Sequence, residues 1–95
     1  MIVKWSKLAI LDLLEIYDFI HLQSPYAADA IQKSIIQTTQ NLGRFPNIGR
    51  PAQRSDHRLL VETRYGYVVV YRVLNNRVEI ASVHDGRMAR PDDLQ

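Results

Sequence analysis

The stretch "RLLVETRYGYVVVYRVLNNRVEIASV", Arg58 to Val83, decides the fold. Its β-branched and aromatic content, punctuated by "RYG" and "NN", predicts three strands over Arg58–Thr63, Tyr67–Leu74 and Arg77–Val83. The middle segment is apolar at nearly every residue, as suits a central strand covered on at least one face. Hairpin turns between consecutive strands make all three antiparallel. The last strand runs into "VHDGR", Val83 to Arg87, where alternation stops at His84, the chain turns through Asp85 and Gly86, and an arginine follows. Imidazole exchanges protons near neutral pH and guanidinium is a permanent cation, so this ending suits either a catalytic edge or the plain end of a strand.

Upstream, "MIVKW" predicts a short strand and Ser6 has the side chain of an N-cap for a helix from Lys7 to about Leu22, with Leu13, Ile16, Tyr17 and Ile20 as its packed stripe. Ser24 caps a second helix, Pro25 takes its first position, and Asp29 suits the positive end of the dipole. Ala28, Ile31, Ile35, Thr38 and Leu42 form its expected seam, and Gly43 its stop. So short a connection predicts an antiparallel helical hairpin. "RFPNIGRP", Arg44 to Pro51, cannot continue a helix and is expected to be a structured loop, with Phe45 and Ile48 plugging the core. Gly49 is expected to adopt a backbone angle that other residues resist, aiming Arg50 outward or onto the sheet. The predicted fold is therefore α+β: an N-terminal strand, a helical hairpin, then a three-stranded antiparallel meander, with the helices packed on one face of the sheet. The opposite face and the strand edges are left for function.

A chain of 95 residues suits one domain, residues 1–95, and its 46% hydrophobic content supports a core. The absence of cysteine excludes disulfides and thiolate metal sites and accords with a reducing cytoplasm. His21, His57 and His84 share no short spacing, so neither a metal site nor a cofactor is expected. Lys4, Lys7, Asp12, Glu15 and Asp18 interrupt the apolar N-terminus at helical spacing, which predicts an amphipathic helix rather than a membrane span. Charge is lopsided: every lysine lies in the first 41 residues and all nine arginines lie after them. Arginine offers a rigid bidentate fork, and its clustering in the second half favours recognition of phosphates or a partner's carboxylates.

The order of elements, with "FPNIGRP" after the second helix, "YGYVVVYRV" in the middle strand and "VHDGR" at the end of the last, resembles the RelE/ParE superfamily of toxins from bacterial type II toxin-antitoxin modules over nearly the whole chain. The resemblance implies one of two activities. RelE-like members cleave messenger RNA in the ribosomal A site, using a basic cluster and a tyrosine or histidine near the C-terminus; ParE-like members poison DNA gyrase. Arg44, Arg50, Arg54, Arg58, Arg64, Arg72 and Arg87 match the basic cluster in part, with His84 as the imidazole and Glu62 as a carboxylate. No lysine follows Lys33 and no tyrosine follows Tyr71, so the lysine pair and terminal tyrosine of one ribonuclease branch are missing. The loop and middle strand look ParE-like, implying a non-catalytic toxin held by a cognate antitoxin in a hetero-oligomeric complex.

In the ribonuclease alternative, His84 and Glu62 divide the acid and base roles while Arg87, with Arg64 or Arg72, stabilises phosphorane charge. In the ParE-like reading no residue is catalytic, and Arg50, Arg72 and Arg87 are the candidates for gripping target or antitoxin. The antitoxin segment is then expected to be acidic and apolar, folding as it binds. The structural alternative for Arg50 and Arg87 is a salt bridge to Glu62, Glu79 or Asp85. Trp5 and Tyr71 are expected in the core; Tyr65 and Tyr67 suit base stacking if RNA is bound. A third reading is a module of this fold kept only to bind antitoxin or regulate DNA, without toxicity.

Overall fold

The computed structural model describes residues 1–88; the end of the domain expected over residues 1–95 lies outside them. In chain order the elements are β1 (Ile2–Trp5), α1 (Lys7–His21), α2 (Pro25–Gln40), a 3-10 turn (Asn41–Gly43), β2 (Arg50–Pro51), β3 (Arg58–Glu62), β4 (Tyr67–Leu74) and β5 (Arg77–Asp85). Both helices begin as their caps dictate: the Ser6 hydroxyl accepts from the Ala9 amide, and the Ser24 hydroxyl from that of Ala27. Asn75 and Asn76 both adopt positive φ, 30° and 65°, which is what a two-residue hairpin between right-twisted strands demands.

The five strands lie in the order β1-β5-β4-β3-β2. The meander is antiparallel as expected, whereas β1 joins its edge parallel to β5, with the helical hairpin beginning the crossover. The helices cover one face of the sheet. Ala9, Ile35 and Leu42 pack there on Tyr67, Val69, Tyr71, Val78, Ile80 and Val83, with Trp5, Leu13, Ile16 and Ile20 partly buried against them. On the opposite face Leu59, Val68 and Val70 form a smaller cluster. In α2 the buried threonine is Thr39 rather than Thr38; its hydroxyl donates to the Ile36 carbonyl one turn back, which satisfies it inside the core.

Strict alternation along β5 would point Val78, Ile80, Ser82 and His84 the same way. A register shift between Val70/Tyr71 of β4 breaks that pattern: Val70 faces Ser82, but Tyr71 faces Ile80. Ala81 is thus the extra residue of a bulge, and beyond it Val83 and Asp85 turn to the helices while Ser82 and His84 turn away. The bulge lies where β1 has ended, and α1 with its N-cap supplies the missing partners. The Ser6 hydroxyl donates to the Ala81 carbonyl at 2.9 Å, and an Asp12 oxygen accepts from the Val83 amide at 2.9 Å.

The loop between the 3-10 turn and β2 corrects two expectations. Phe45 and Ile48 are about half exposed, at 53% and 54%, so neither plugs the core. The loop instead lays its backbone over the end of the Tyr71 side chain, whose hydroxyl accepts from the Gly49 amide at 2.9 Å and donates to the Pro46 carbonyl at 2.8 Å. Close backbone approach leaves both apolar side chains facing out. Nor does Gly49 need an unusual backbone angle, since Gly66 is the glycine with positive φ. What Gly49 supplies is space: a Cβ there would stand 2.7 Å from both Cε1 and the hydroxyl of Tyr71. Arg58 completes the clamp, donating to the Gly49 carbonyl at 2.7 Å and to that of Asn47 at 3.3 Å.

Tyr71→Phe should therefore cost about 1–3 kcal/mol, because it strips two loop groups of their partner in a buried place. Burial pushes the Tyr71 hydroxyl above the ordinary tyrosine value. The protonated form holds the loop, so its stabilisation is full below about pH 10 and is lost as pH rises through the higher native value. Thermal melts across alkaline pH should show a stability gap between wild type and Tyr71→Phe that narrows there. Gly49→Val should disturb folding outright.

Candidate functional site

Strand register divides the residues that ribonuclease chemistry would need. Glu62 faces Tyr67, and Tyr67 faces Asp85, so these three share the helix-covered side; His84 faces Val68 on the other side. Glu62 is 1% exposed. One of its oxygens accepts from the Tyr65 amide at 2.6 Å and the other from the Ser34 hydroxyl at 3.3 Å, so the carboxylate ties the β3–β4 turn to α2. His84 has Nε2 2.9 Å from the Ser82 hydroxyl, both on the helix-free face. Imidazole and carboxylate are thus separated by the thickness of the sheet, and the structure does not bring them together.

Arg64 and Arg87 belong to the two turns at the end of the sheet where the β3–β4 turn meets the C-terminal end of β5, but each lies against its own tyrosine and they edge different clefts. The Arg64 guanidinium lies 5.6 Å from the Tyr65 ring centre and that of Arg87 6.0 Å from the Tyr67 ring centre. Gly66 has φ +86°, and Gly86 donates to the Gly66 carbonyl at 2.9 Å. A Cβ on Gly86 would approach that carbonyl oxygen to 2.6 Å, so the two turns meet only because one residue there lacks a side chain. Arg87 also grips Asp85 with Nε and Nη2, each 3.0 Å from a different carboxylate oxygen. That fork, with lesser help from the Arg87 amide, holds the Asp85 carboxyl below its usual range, while Asp85 raises the pKa of Arg87.

The other two arginines lie apart from this end. Arg72, on the helix-free face of β4, donates from Nε to Glu79 directly across the ladder at 3.0 Å, with Asp56 at 3.9 Å. Arg50 is exposed on β2, the two-residue edge strand, and among the described residues it forms no ion pair and no side-chain hydrogen bond. It is not an internal strut; Arg58 fills that role, one not legible in the sequence. Arg58 works on backbone carbonyls, so no acidic partner at a telling spacing betrays it.

Between α1, α2 and the end of β5 opens a cleft of about 380 Å³, walled by Ile16, Ile20, Ile31 and Tyr67 and edged by Arg87 and Asp85. Phe19 and Met88 on its rim are exposed by 68% and 87%, an apolar fringe on a surface otherwise well supplied with charge. Burial, then the Asp85 charge, pushes the Tyr67 hydroxyl above its ordinary value, so it stays a neutral hydrogen-bonding group in this wall. An apolar cleft with the Arg87 guanidinium and the Glu15 and Asp85 carboxylates at its lip suits an apolar side chain from a partner chain better than it suits proton transfer. Among the described residues no cluster of histidine and carboxylate side chains is placed to hold a metal ion, and no helix is long and apolar enough to cross a membrane.

Gly86→Ala should cost about 1–3 kcal/mol by overpacking the two turns. Asp85 stabilises the native state above the ordinary carboxylate range, and that contribution is lost as pH falls through its depressed native value. The difference in melting temperature between wild type and Asp85→Asn should accordingly be present at neutral pH and vanish in acid.

Comparison with known proteins agrees with this architecture. No curated protein matches the chain. Among solved structures, a chain described as "Chromosomal ParDE TA system from P. aeruginosa" superposes with a TM-score of 0.79 at 26% identity, covering 90% of this chain and 95% of that one. The family model described as the ParE toxin of the type II toxin-antitoxin system parDE matches residues 3–90. With a sheet, helical hairpin and loop order that also agree, the chain belongs to the ParE toxin family of type II toxin-antitoxin systems.

Proposed function

We propose that this protein acts in the cytoplasm as a ParE-like toxin that inhibits DNA gyrase and is neutralised by a cognate antitoxin. Family membership over residues 3–90 carries the reading. The separation of His84 from Glu62 by the sheet supports it against RNA cleavage, which needs an acid and a base around one phosphate. Similarity to a ParDE system supports an antitoxin partner. Such a partner has two kinds of surface to use: the apolar cleft fringed by Phe19 and Met88, and the cations Arg50, Arg72 and Arg87. Of these cations Arg50 is the most available, because Arg72 and Arg87 already hold carboxylates. Its loop is clamped through Tyr71 and Arg58, so little entropy is lost when it docks on a large target.

A gyrase supercoiling assay run beside a translation-dependent mRNA cleavage assay tests the target. The expected result is loss of supercoiling with intact messenger RNA. His84→Ala should leave growth inhibition largely unchanged, whereas Arg50→Ala should give a folded, antitoxin-binding protein of reduced toxicity. Loss of toxicity in a folded His84→Ala variant would transfer the reading to a ribosome-dependent endonuclease. A wild-type protein inert in both assays that still binds antitoxin would mark a non-toxic module.

A further inference from the structure

We infer that the outer face of α1 is a self-docking surface, on which a second copy of this chain packs antiparallel about a two-fold axis. The helix is apolar on more than the side it buries. Ala9, Leu13, Ile16 and Ile20 face the core, yet Leu8, Ile10, Leu11 and Leu14 are 58%, 47%, 48% and 48% exposed. A helix apolar on both sides is ordinarily covered on both.

The order of side chains along that face names the occupant. Lys7, Leu11, Leu14 and Asp18 follow one another at steps of four, three and four, the spacing of a two-helix seam. The pattern reads cation, leucine, leucine, anion, and its centre lies between the two leucines. An antiparallel copy therefore sets Leu11 against Leu14 of the other chain, and Lys7 against Asp18 at both ends at once. A parallel copy would set Lys7 on Lys7.

The helix dipole supplies an independent argument. Lys7 is the first residue of α1, no acid occupies its first turn, and Asp18 lies in its last turn, so both charges sit at the wrong ends of their own helix. Among the described residues neither forms an ion pair or a side-chain hydrogen bond that would compensate. Beside an antiparallel copy both are correctly placed, with Lys7 at the negative end of the neighbouring helix and Asp18 at its positive end. The contact spans about three turns, so the dimer is small, reversible and dependent on concentration. This surface is the ridge of α1, separate from the cleft on its flank.

Sedimentation equilibrium of the full chain without antitoxin tests the inference. The expected mass rises with concentration from 11.0 kDa toward twice that value. Lys7→Glu or Asp18→Lys alone puts like charges together at both ends, and each should weaken dimerisation by about tenfold or more. The double swap should restore it. Each single change improves the helix dipole, so circular dichroism melts should not fall, and a lost dimer is not a lost fold. Leu11→Ser should also weaken association. A chain that stays monomeric throughout, a dimer indifferent to the single changes, or a double swap without rescue would each overturn the inference. So would a monomeric chain in which Lys7→Glu weakens only antitoxin binding, since the ridge would then belong to that partner.

Discussion

The bulge at Ala81, and the Ser6 and Asp12 side chains that satisfy it, set the rest of the molecule in place. A strand that loses its neighbour halfway exposes backbone groups that must find other partners. β1 stops opposite Ile80, and from there the Ser6 hydroxyl and the Asp12 carboxylate take over the edge of β5. One hydroxyl thereby caps a helix and closes a strand edge, which fixes how α1 lies on the sheet. The extra residue also keeps Val78, Ile80 and Val83 all facing the helices. Without it Val83 would turn away, and His84 would turn toward the core.

From that register follows the distribution of charge. Acid and base candidates that look adjacent in a list of residues lie on opposite faces of β3, β4 and β5. The buried carboxylate of Glu62 has gone to building a turn, and the fork of Arg87 to stiffening another. What the molecule presents outward is a set of rigid platforms: the clamped loop with Arg50, the paired turns of Gly66 and Gly86, and an apolar cleft beside them. Rigid surfaces lose little on association, which supports the proposed action through binding other proteins.

The unspent apolar area points the same way. A small domain has little core to spare, yet this one leaves leucines on the ridge of α1 and large side chains at Phe19, Leu22 and Met88 in the open. Exposed as they are, these side chains contribute little to the stability of the isolated chain and are available for association with others. Ridge and cleft lie on different sides of the same helix, so a toxin of this build can present one surface while the other is taken.

The sequence by itself determined the local elements, because caps, turn residues and apolar periods act within a few positions. Ser6, Ser24 and Pro25 start helices where expected, Asn75 and Asn76 turn the hairpin, and β4 is the buried central strand. It also carried the family, through the loop, the central strand and the terminal turn taken together. Only the tertiary structure decided that β1 pairs parallel with β5, that Phe45 and Ile48 face out, and that Arg58 rather than Arg50 braces the loop. It likewise decided which face His84 occupies. Each of those outcomes depends on residues dozens of positions apart competing for the same space or the same hydrogen bond. A period of 2 or 3.6 says which residues share a side, but one bulge exchanges the sides, and only the packed neighbours determine where the bulge falls.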